Sequence, residues 1–527
     1  MSTQEGPKRG RLPHGDWPWV ASLLIVGCLV LATFALNASS RTAGQGGVPL
    51  DDAWIHFQFA RNLARGDGLS FNPDQPTSGS TAPLWTLLLA AVYGLGGRFP
   101  PAGQVLSAIS YLGLLSATYI LGKRVTSSRW MGWMAGMVVA VNGRMAWAGL
   151  SALEICLFAS LSLLAIVAHL DDQARCHYRL RTAALFGLAA LSRPEGYLLF
   201  GLSVGCFVFR AVRNTQCQNP KSGLRIAYSV FSAMILFGAL ILPYMLFSWQ
   251  TSGHLLPNTY HAKASVSLVP DREFRDFLSV AAIYLILDNP LLLPFLLLGL
   301  ILLLRRAPLL SLWATALPIG YAFIRASLYQ HGRYLMVLIP VNAVVAMWGL
   351  VEAEKVARRR WPSLAARLQS TPSRFGGFRA SAAVFSLLII LGTAWRLPAM
   401  AGQYAQNVDN INQMHVALGH WVKENTPPGT VVALNDIGAI TYISERPVVD
   451  LAGLVTPEIT PSLRAPEQTE QLIQFLRERG VEYVIIFPNW FPGLVERGDV
   501  LEEIHRVTLD NRTITGGETM VVYRVRE

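Results

Sequence analysis

Two adjacent aspartates, Asp51 and Asp52, carry the clearest chemical signal in the chain, because they closely follow a long apolar run. Ionisable groups beside a membrane span cost free energy unless they face water or a partner, so their presence indicates a functional site. Neighbouring carboxylates repel each other and are stabilised by a cation, a basic side chain or a shared proton. The pair is a candidate for a catalytic base or for the ligands of a divalent cation, and a solvated acidic loop is the plainer alternative.

Two further residues extend this acidic site. His56 lies four positions after Asp52, on the same face if the stretch is helical. Glu154 opens a later apolar segment and is the third catalytic candidate. Each has a plainer interpretation: His56 as an exposed surface residue, and Glu154 as part of a capping box with Ser151.

Polar residues at the ends of other apolar segments are candidates for binding substrate and the phosphate of a donor. They are Arg193, Glu195, Asn258, Tyr260, His261, Lys263, His331, Arg333 and Tyr334. A carboxylate can take the proton of an attacking hydroxyl, and basic side chains can hold a phosphate. No single spacing is a strong motif, so the prediction depends on these residues meeting at one membrane face. For Arg333 the alternative is a side chain that extends into lipid headgroups.

The composition is that of a membrane protein with some soluble mass. Of the 527 residues, 52% are hydrophobic and 15% are charged, whereas soluble domains contain about 25% charged residues. The net charge of +11 is concentrated in short loops between apolar runs, which indicates membrane topology and not nucleic-acid binding. The five cysteines show no metal-ligand spacing.

The apolar pattern predicts about eleven membrane spans. They cover about 18–36, 104–121, 130–149, 154–170, 182–193, 196–212, 226–249, 289–304, 308–325, 333–351 and 380–397. The basic loops place the N-terminus in the cytoplasm, and residues 37–103 and 250–288 outside. Segment 83–97 is short for a span, which predicts a juxtamembrane or re-entrant helix on the outer face.

Residues 398–527 are expected to form an extracytoplasmic α/β domain after a transmembrane domain at 1–397. Short apolar strands at 430–435, 448–454 and 483–487 alternate with helical segments at 405–425 and 467–479. This alternation predicts a parallel core, and two alternating strands close the chain. The fold class is therefore a polytopic α-helical membrane protein with a C-terminal α/β domain.

With these residues placed, the chain resembles the GT-C fold glycosyltransferases, and within them the bacterial branch that includes the mycobacterial terminal arabinofuranosyltransferases. The segments that carry the resemblance are DDAWIHFQFARNLARGDGLSFNP, SGSTAPLW, SALEICLF, LSRPEGYLL, LLPNTYHAKA, NDIGAITYIS and VVDLAGLVTPEI. They run from about residue 50 to 460.

The resemblance implies a polyprenyl-phosphate-linked sugar donor and a base at Asp51 or Asp52. It matches Glu154 to a second acidic residue, and it implies donor-phosphate contacts from Arg193, Lys263 and Arg333. A divalent cation at Asp51, Asp52 and Glu154 is left open, since some relatives bind one. The resulting hypothesis is an inverting sugar transfer, at the cytoplasmic membrane, to an extracytoplasmic glycan, lipid or protein acceptor. A transporter or flippase of a lipid-linked or anionic solute is the alternative.

Overall fold

The computed structural model describes residues 15–213, 220–263, 270–326, 328–360, 377–464 and 467–526. Within these ranges, seven helices are long and apolar enough to cross a membrane. They are Trp17–Arg41, Pro101–Thr126, Ile155–Arg175, Glu195–Arg213, Gly223–Ser252, Tyr329–Arg360 and Val384–Asn425. The pair Arg272–Asp288 and Pro290–Arg306 passes the same test together but bends by 100°. The chain is an integral multi-pass membrane protein.

The predicted number of about eleven spans is not confirmed, because three of the segments form helices too short to count. Segments 182–193 and 308–325 correspond to Leu180–Ser192 and Pro308–Phe323. Segment 130–149 is divided at Asn142, whose side-chain oxygen accepts from the backbone N–H of Met145 and starts a second helix.

The other described helices complete the bundle, the outer loops and the C-terminal region. Those before residue 400 are Asp52–Arg65, Pro83–Gly94, Arg129–Ala140, Gly143–Leu150, Asn258–Lys263, Leu293–Arg306, Ile339–Arg360 and Gly377–Ala394. Those that begin or end after it are Leu397–Ile411, Ala417–Asn425, Gly438–Ser444, Thr460–Arg464, Gln468–Glu478 and Pro492–Val495. The backbone of Arg193 is extended between Leu180–Ser192 and Glu195–Arg213, so the predicted segments 182–193 and 196–212 form two separate helices.

The C-terminal region contains the predicted α/β sheet. Its strands are β1 (Val431–Leu434), β2 (Val448–Asp450), β3 (Val481–Ile486), β4 (Leu501–Thr508) and β5 (Thr519–Val525), in the order β2-β1-β3-β5-β4. The first three strands are parallel, and β5 pairs antiparallel with both β3 and β4.

Strand β2 is shorter than predicted because Asp450 ends it. The Asp450 carboxylate accepts from the backbone N–H groups of Ala452, Leu454 and Val455 at 2.8, 2.5 and 2.9 Å. These bonds turn the chain sharply after the strand. The turn directs Leu454 toward the transmembrane part, where its side chain lines a cavity.

Residues 42–100 form the first outer loop between the first two spans, and this loop contacts the chain just before strand β2 and at its first residue. The Arg61 guanidinium in helix Asp52–Arg65 donates to the carbonyl of Tyr442 and pairs with Glu445, both at 2.8 Å. The amide of Asn72 exchanges two hydrogen bonds with the backbone of Val448, each 2.9 Å.

Candidate functional site

A cavity of about 590 Å³ lies between the first outer loop, the transmembrane helices and the C-terminal region. Its lining combines apolar side chains, among them Ile55, Leu198 and Leu317, with polar ones. The polar members are Asp52, His56, Ser80, Thr81, Glu154, Arg193, Glu195, Thr259, Tyr260, Tyr321, Arg325, Arg333 and Tyr334. An apolar pocket with a few convergent polar groups is the usual form of a ligand site.

Asp52 and Arg333 form an ion pair at the edge of this cavity. Asp52 is the first residue of helix Asp52–Arg65, and Arg333 opens the 3-10 turn Arg333–Leu338. The Arg333 Nη2 lies 2.7 Å from the Asp52 Oδ2. The Asp52 side chain is 29% exposed and that of Arg333 is 9% exposed. A carboxylate and a guanidinium therefore meet a cavity together, where a hydroxyl and a phosphate could approach them.

Asp51 faces another part of the molecule, because successive helical residues point about 100° apart. Its carboxylate accepts from the backbone N–H groups of Gly438 and Ala439 at 2.7 and 2.8 Å. The residues that line the cavity, within the described ranges, do not include Asp51. Burial raises the pKa of Asp51 to about 6, against the opposing charge of His415 and with the help of Asp436.

A second ionic group, formed by Glu154, Arg193 and Glu195, also lines the cavity. Arg193 Nη1 donates to Glu154 at 2.7 Å, and its Nε and Nη2 donate to Glu195 at 2.9 and 2.6 Å. The hydroxyl of Tyr321 also donates to Glu195. His56 Nε2 lies 3.5 Å from the Glu154 carboxylate. Arg193 is therefore already neutralised by two carboxylates, which makes it a weaker candidate for a phosphate ligand than its charge suggests.

Glu154 does not complete a capping box. The side chain of Glu154 makes no cap hydrogen bond to its helix, and the Ser151 hydroxyl instead donates to the carbonyl of Ala148. Glu154 instead pairs with Arg193, which lies 39 positions later along the chain. The predicted convergence of these two clusters is thus present in the structure.

The remaining predicted residues divide between the cavity and its surroundings. Tyr260 and Tyr334 line the cavity. Asn258 is buried beside it, with its backbone N–H donating to the carbonyl of Ser78 at 3.2 Å. His331 lies behind it and lines a smaller cavity. The side chains of His261 and Lys263 lie outside the described residues.

Tyr321 and Leu454 are two contributors to the lining that sequence reasoning missed. Tyr321 lies within an apolar run that gives no local signal, and only its contact with Glu195 marks it. Leu454 comes from the C-terminal region, where the turn at Asp450 brings it to the cavity. Gly79 makes this approach possible, since a Cβ there would lie 3.0 Å from the carbonyl oxygen of Leu454.

The three acidic candidates do not fit a shared divalent cation. Asp51 is directed to the C-terminal region, Asp52 to Arg333 and Glu154 to Arg193. No group of three or more His, Cys, Asp or Glu side chains within the described ranges has the arrangement of a metal site. Each carboxylate is paired with a donor of this chain, so we derive no chemical step through a metal.

Comparison with solved structures identifies the fold. ArnT from Cupriavidus metallidurans, bound to undecaprenyl phosphate, is 12% identical with a TM-score of 0.60, over 96% of this chain and 98% of that one. The oligosaccharyltransferase AglB from Archaeoglobus fulgidus, in complex with an inhibitory peptide and a dolichol-phosphate, is 14% identical with a TM-score of 0.56, over 90% and 70%. The arabinofuranosyltransferase AftD from mycobacteria is 15% identical with a TM-score of 0.51, over 98% and 42%.

These neighbours are GT-C glycosyltransferases, and the chain is therefore a membrane protein with the GT-C fold. Residues 403–523 also match a family described as a domain of unknown function, DUF8728. No curated protein sequence matches the chain significantly. The similarity of the C-terminal region to that family and the fold of the whole chain are independent findings.

Proposed function

We propose that the protein is a glycosyltransferase that moves a sugar from a polyprenyl-phosphate donor to a hydroxyl of an extracytoplasmic acceptor. The observation that carries the proposal is the Asp52–Arg333 ion pair, which lines a largely apolar cavity of about 590 Å³. The GT-C neighbours, one bound to undecaprenyl phosphate and one to dolichol-phosphate, support a lipid-linked donor. The acceptor is a cell-envelope glycan, a lipid or a protein.

The reaction is a single displacement at the anomeric carbon. The acceptor oxygen forms a bond to this carbon while the bond from the carbon to the phosphate oxygen breaks, and its electron pair leaves with the phosphate. Asp52 takes the acceptor proton as general base. Arg333 holds the departing phosphate, because a guanidinium matches phosphate oxygens in charge and geometry. Attack opposite the leaving group inverts the anomeric centre.

Other groups around the cavity support these two. Arg325, which pairs with Asp271 and Glu273, adds a second cation to the rim. The ion pairs of Arg193 with Glu154 and Glu195 hold these three side chains in place in the cavity lining. The hydroxyl groups of Tyr260 and Tyr334 can form hydrogen bonds with sugar hydroxyls. Lys263 keeps the donor-phosphate role that the family resemblance implies.

The arrangement of charge supports a site on the extracytoplasmic side of the cytoplasmic membrane, with the N-terminus inside. Asp16 pairs with Lys123 and Arg129 at 2.5 and 2.8 Å, and Asp171 pairs with Arg124 at 3.1 Å. These basic residues cluster where the first, second and later spans begin or end. The positive-inside rule assigns such a cluster to the cytoplasm. The C-terminal region, at the other ends of these spans, is then outside.

The test is transfer by the purified protein, followed as release of free polyprenyl phosphate from a polyprenyl-phosphate sugar. Asp52→Asn removes the proton acceptor and keeps the shape, so we expect turnover to fall about 100-fold or more. Asp51→Asn is the matched control, and we expect it to retain turnover within about threefold because it does not face the cavity. Similar turnover in both variants and the parent would reject Asp52 as the base. Solute flux in liposomes without phosphate release would instead support a transporter.

A further inference from the structure

The backbone immediately before Arg333 has an unusual conformation. Gln330, His331 and Gly332 all have φ near +61°. Left-handed backbone is costly for residues other than glycine, and two in succession persist only where surrounding contacts determine them. This left-handed turn, Gln330–Gly332, is the segment that delivers Arg333 to Asp52.

Arg144 makes the contacts that hold the left-handed turn from one side. Its Nε donates to the carbonyl of His331 at 2.9 Å and its Nη2 to the carbonyl of Gly332 at 3.0 Å. The third arm, Nη1, lies 2.7 Å from Asp288. Its guanidinium also lies over the ring of Tyr284 at 4.5 Å. A planar fork with fixed donors suits two successive carbonyls better than a flexible ammonium does.

The C-terminal region contacts the same segment from the other side. Asn407 and His331 Nε2 are hydrogen-bonded at 2.8 Å, and the Tyr329 hydroxyl donates to the carbonyls of Ile514 and Thr515 at 2.9 and 2.7 Å. The turn is thus held between the start of helix Gly143–Leu150 and the C-terminal region.

A cavity beside the left-handed turn gives it room to change conformation if the Arg144 contacts are lost. This smaller cavity, of about 200 Å³, is lined by Arg144, Tyr284 and His331. A turn without these contacts has room to relax into this cavity and to return to an unstrained backbone. Such a change would rotate the residue that follows, which is Arg333. Arg144 itself is not among the described residues that line the larger cavity.

We propose that Arg144 is a positioning residue for the donor-binding Arg333, acting by holding Gln330–Gly332 left-handed. The inference rests on the proposed function, since it gives Arg333 the task of binding phosphate. It adds a residue that touches neither donor nor acceptor and controls affinity for the donor through the backbone.

The experiment measures the Kd of a short-chain polyprenyl phosphate and the donor KM on the full-length protein in detergent. Arg144→Ala should weaken both by about 10- to 100-fold, as misplacement of a binding group does, and should change the acceptor KM little. Arg144→Lys keeps the charge opposite Asp288 but not the fork, so an intermediate loss is expected. If Arg144→Ala does not fold, the Kd and donor KM of Arg144→Lys test the proposal on their own.

A rescue variant separates positioning from general stability. Gln330→Gly removes the conformational cost of one left-handed residue. In the parent it should leave the Kd within about twofold, and in Arg144→Ala it should recover at least about threefold of the lost affinity. Asp288→Asn is the matched control, because it breaks the ion pair and leaves both carbonyl contacts. It should lower the melting temperature without changing the Kd.

A double-mutant comparison gives the remaining check. If Arg144 acts only through Arg333, Arg144→Ala combined with Arg333→Ala should bind no more weakly than Arg333→Ala alone. Additive losses, or a Kd in Arg144→Ala equal to that of the parent, would overturn the positioning role. A parent protein that does not bind polyprenyl phosphate at all would contradict the proposed function and this inference together.

Discussion

Two clusters of the same residue types differ in what surrounds them. In the larger cavity, His56 lies beside Glu154, and Asp52 is close by with a partly exposed side chain. At the junction with the C-terminal region, the fully buried His415 lies 3.0 Å from Asp436, with Asp51 sealed against Gly438. The first cluster borders space for a ligand, whereas the second is closed by backbone donors. Residue type alone would assign both to catalysis, and only the surroundings separate them.

The largest effect should come from breaking the ionic group of the cavity. Arg193→Gln leaves Glu154 and Glu195 buried without their cation, so we expect a loss of about 3–5 kcal/mol in stability. Glu154→Gln is the matched comparison, because Arg193 keeps Glu195 and the amide oxygen can still accept from Arg193, so the loss should be smaller, about 1–2 kcal/mol. Thermal unfolding of both in detergent measures the difference. Equal melting temperatures would show that Arg193 is not the centre of the group.

The junction should be sensitive to a single added methyl. A Cβ at Gly438 would lie 2.3 Å from the Asp51 carbonyl oxygen. Gly438→Ala should therefore destabilise the junction by about 1–3 kcal/mol. Gly402→Ala is the control, since Gly402 is exposed with no atom within 4 Å of an added Cβ, and it should be neutral or stabilising. Thermal unfolding compares the two, and a neutral Gly438→Ala would mean that the junction is loose.

The cluster at the junction with the C-terminal region should make the free energy of unfolding depend on pH through Asp51. Asp51 has its pKa raised from 3.8 to about 6 in the folded protein, so the folded state retains this proton more strongly than the unfolded chain. Between pH 4 and 6 this contribution makes the parent lose stability as pH rises, on the order of 2–3 kcal/mol in total.

Comparison with Asp51→Asn measures that contribution together with the charge interaction between Asp51 and His415. The parent's melting temperature should fall relative to that of the variant as pH rises from about 4 to about 6. A difference that is constant with pH would show that the Asp51 carboxylate is not buried as the structure has it.

The smallest effect should come where the C-terminal region reaches the cavity. Leu454→Ala removes the apolar lining that the C-terminal region contributes to the cavity, so we expect the acceptor KM to rise about threefold to tenfold. The Kd of polyprenyl phosphate should stay unchanged. Leu463→Ala, in the same region but outside the described lining, is the control. A donor effect without an acceptor effect would place the two substrates the other way round.

Much of the architecture could be predicted from local sequence. Pro194 marks the break between two helices, and the alternation of strands and helices after residue 430 predicts the parallel part of the sheet. Polar residues beside apolar runs also identified Glu154 and Arg193, which meet in the structure. These features depend on short-range rules of backbone chemistry and hydropathy.

Other features depend on contacts that local sequence does not encode. Which aspartate faces the cavity is fixed by the N–H groups of Gly438 and Ala439, almost four hundred positions later along the chain. The cap at Asn142 divides an apolar run that hydropathy alone joins into one span. Gly332 is the only glycine in the left-handed turn Gln330–Gly332, so the local sequence gives little indication of that backbone conformation.

The docking of Asp51 on Gly438 and the reach of Leu454 into the cavity have a practical consequence. A truncated protein that stops after the last membrane helix would lose the part of the cavity lining that Leu454 contributes. It would also leave the buried Asp51 carboxylate without the backbone N–H donors of Gly438 and Ala439. The cavity therefore needs both the membrane bundle and the C-terminal region, and these two parts cannot be exchanged independently between relatives. Chimeras should exchange residues 42–81 together with 431–456, so that both surfaces of the joint come from one parent.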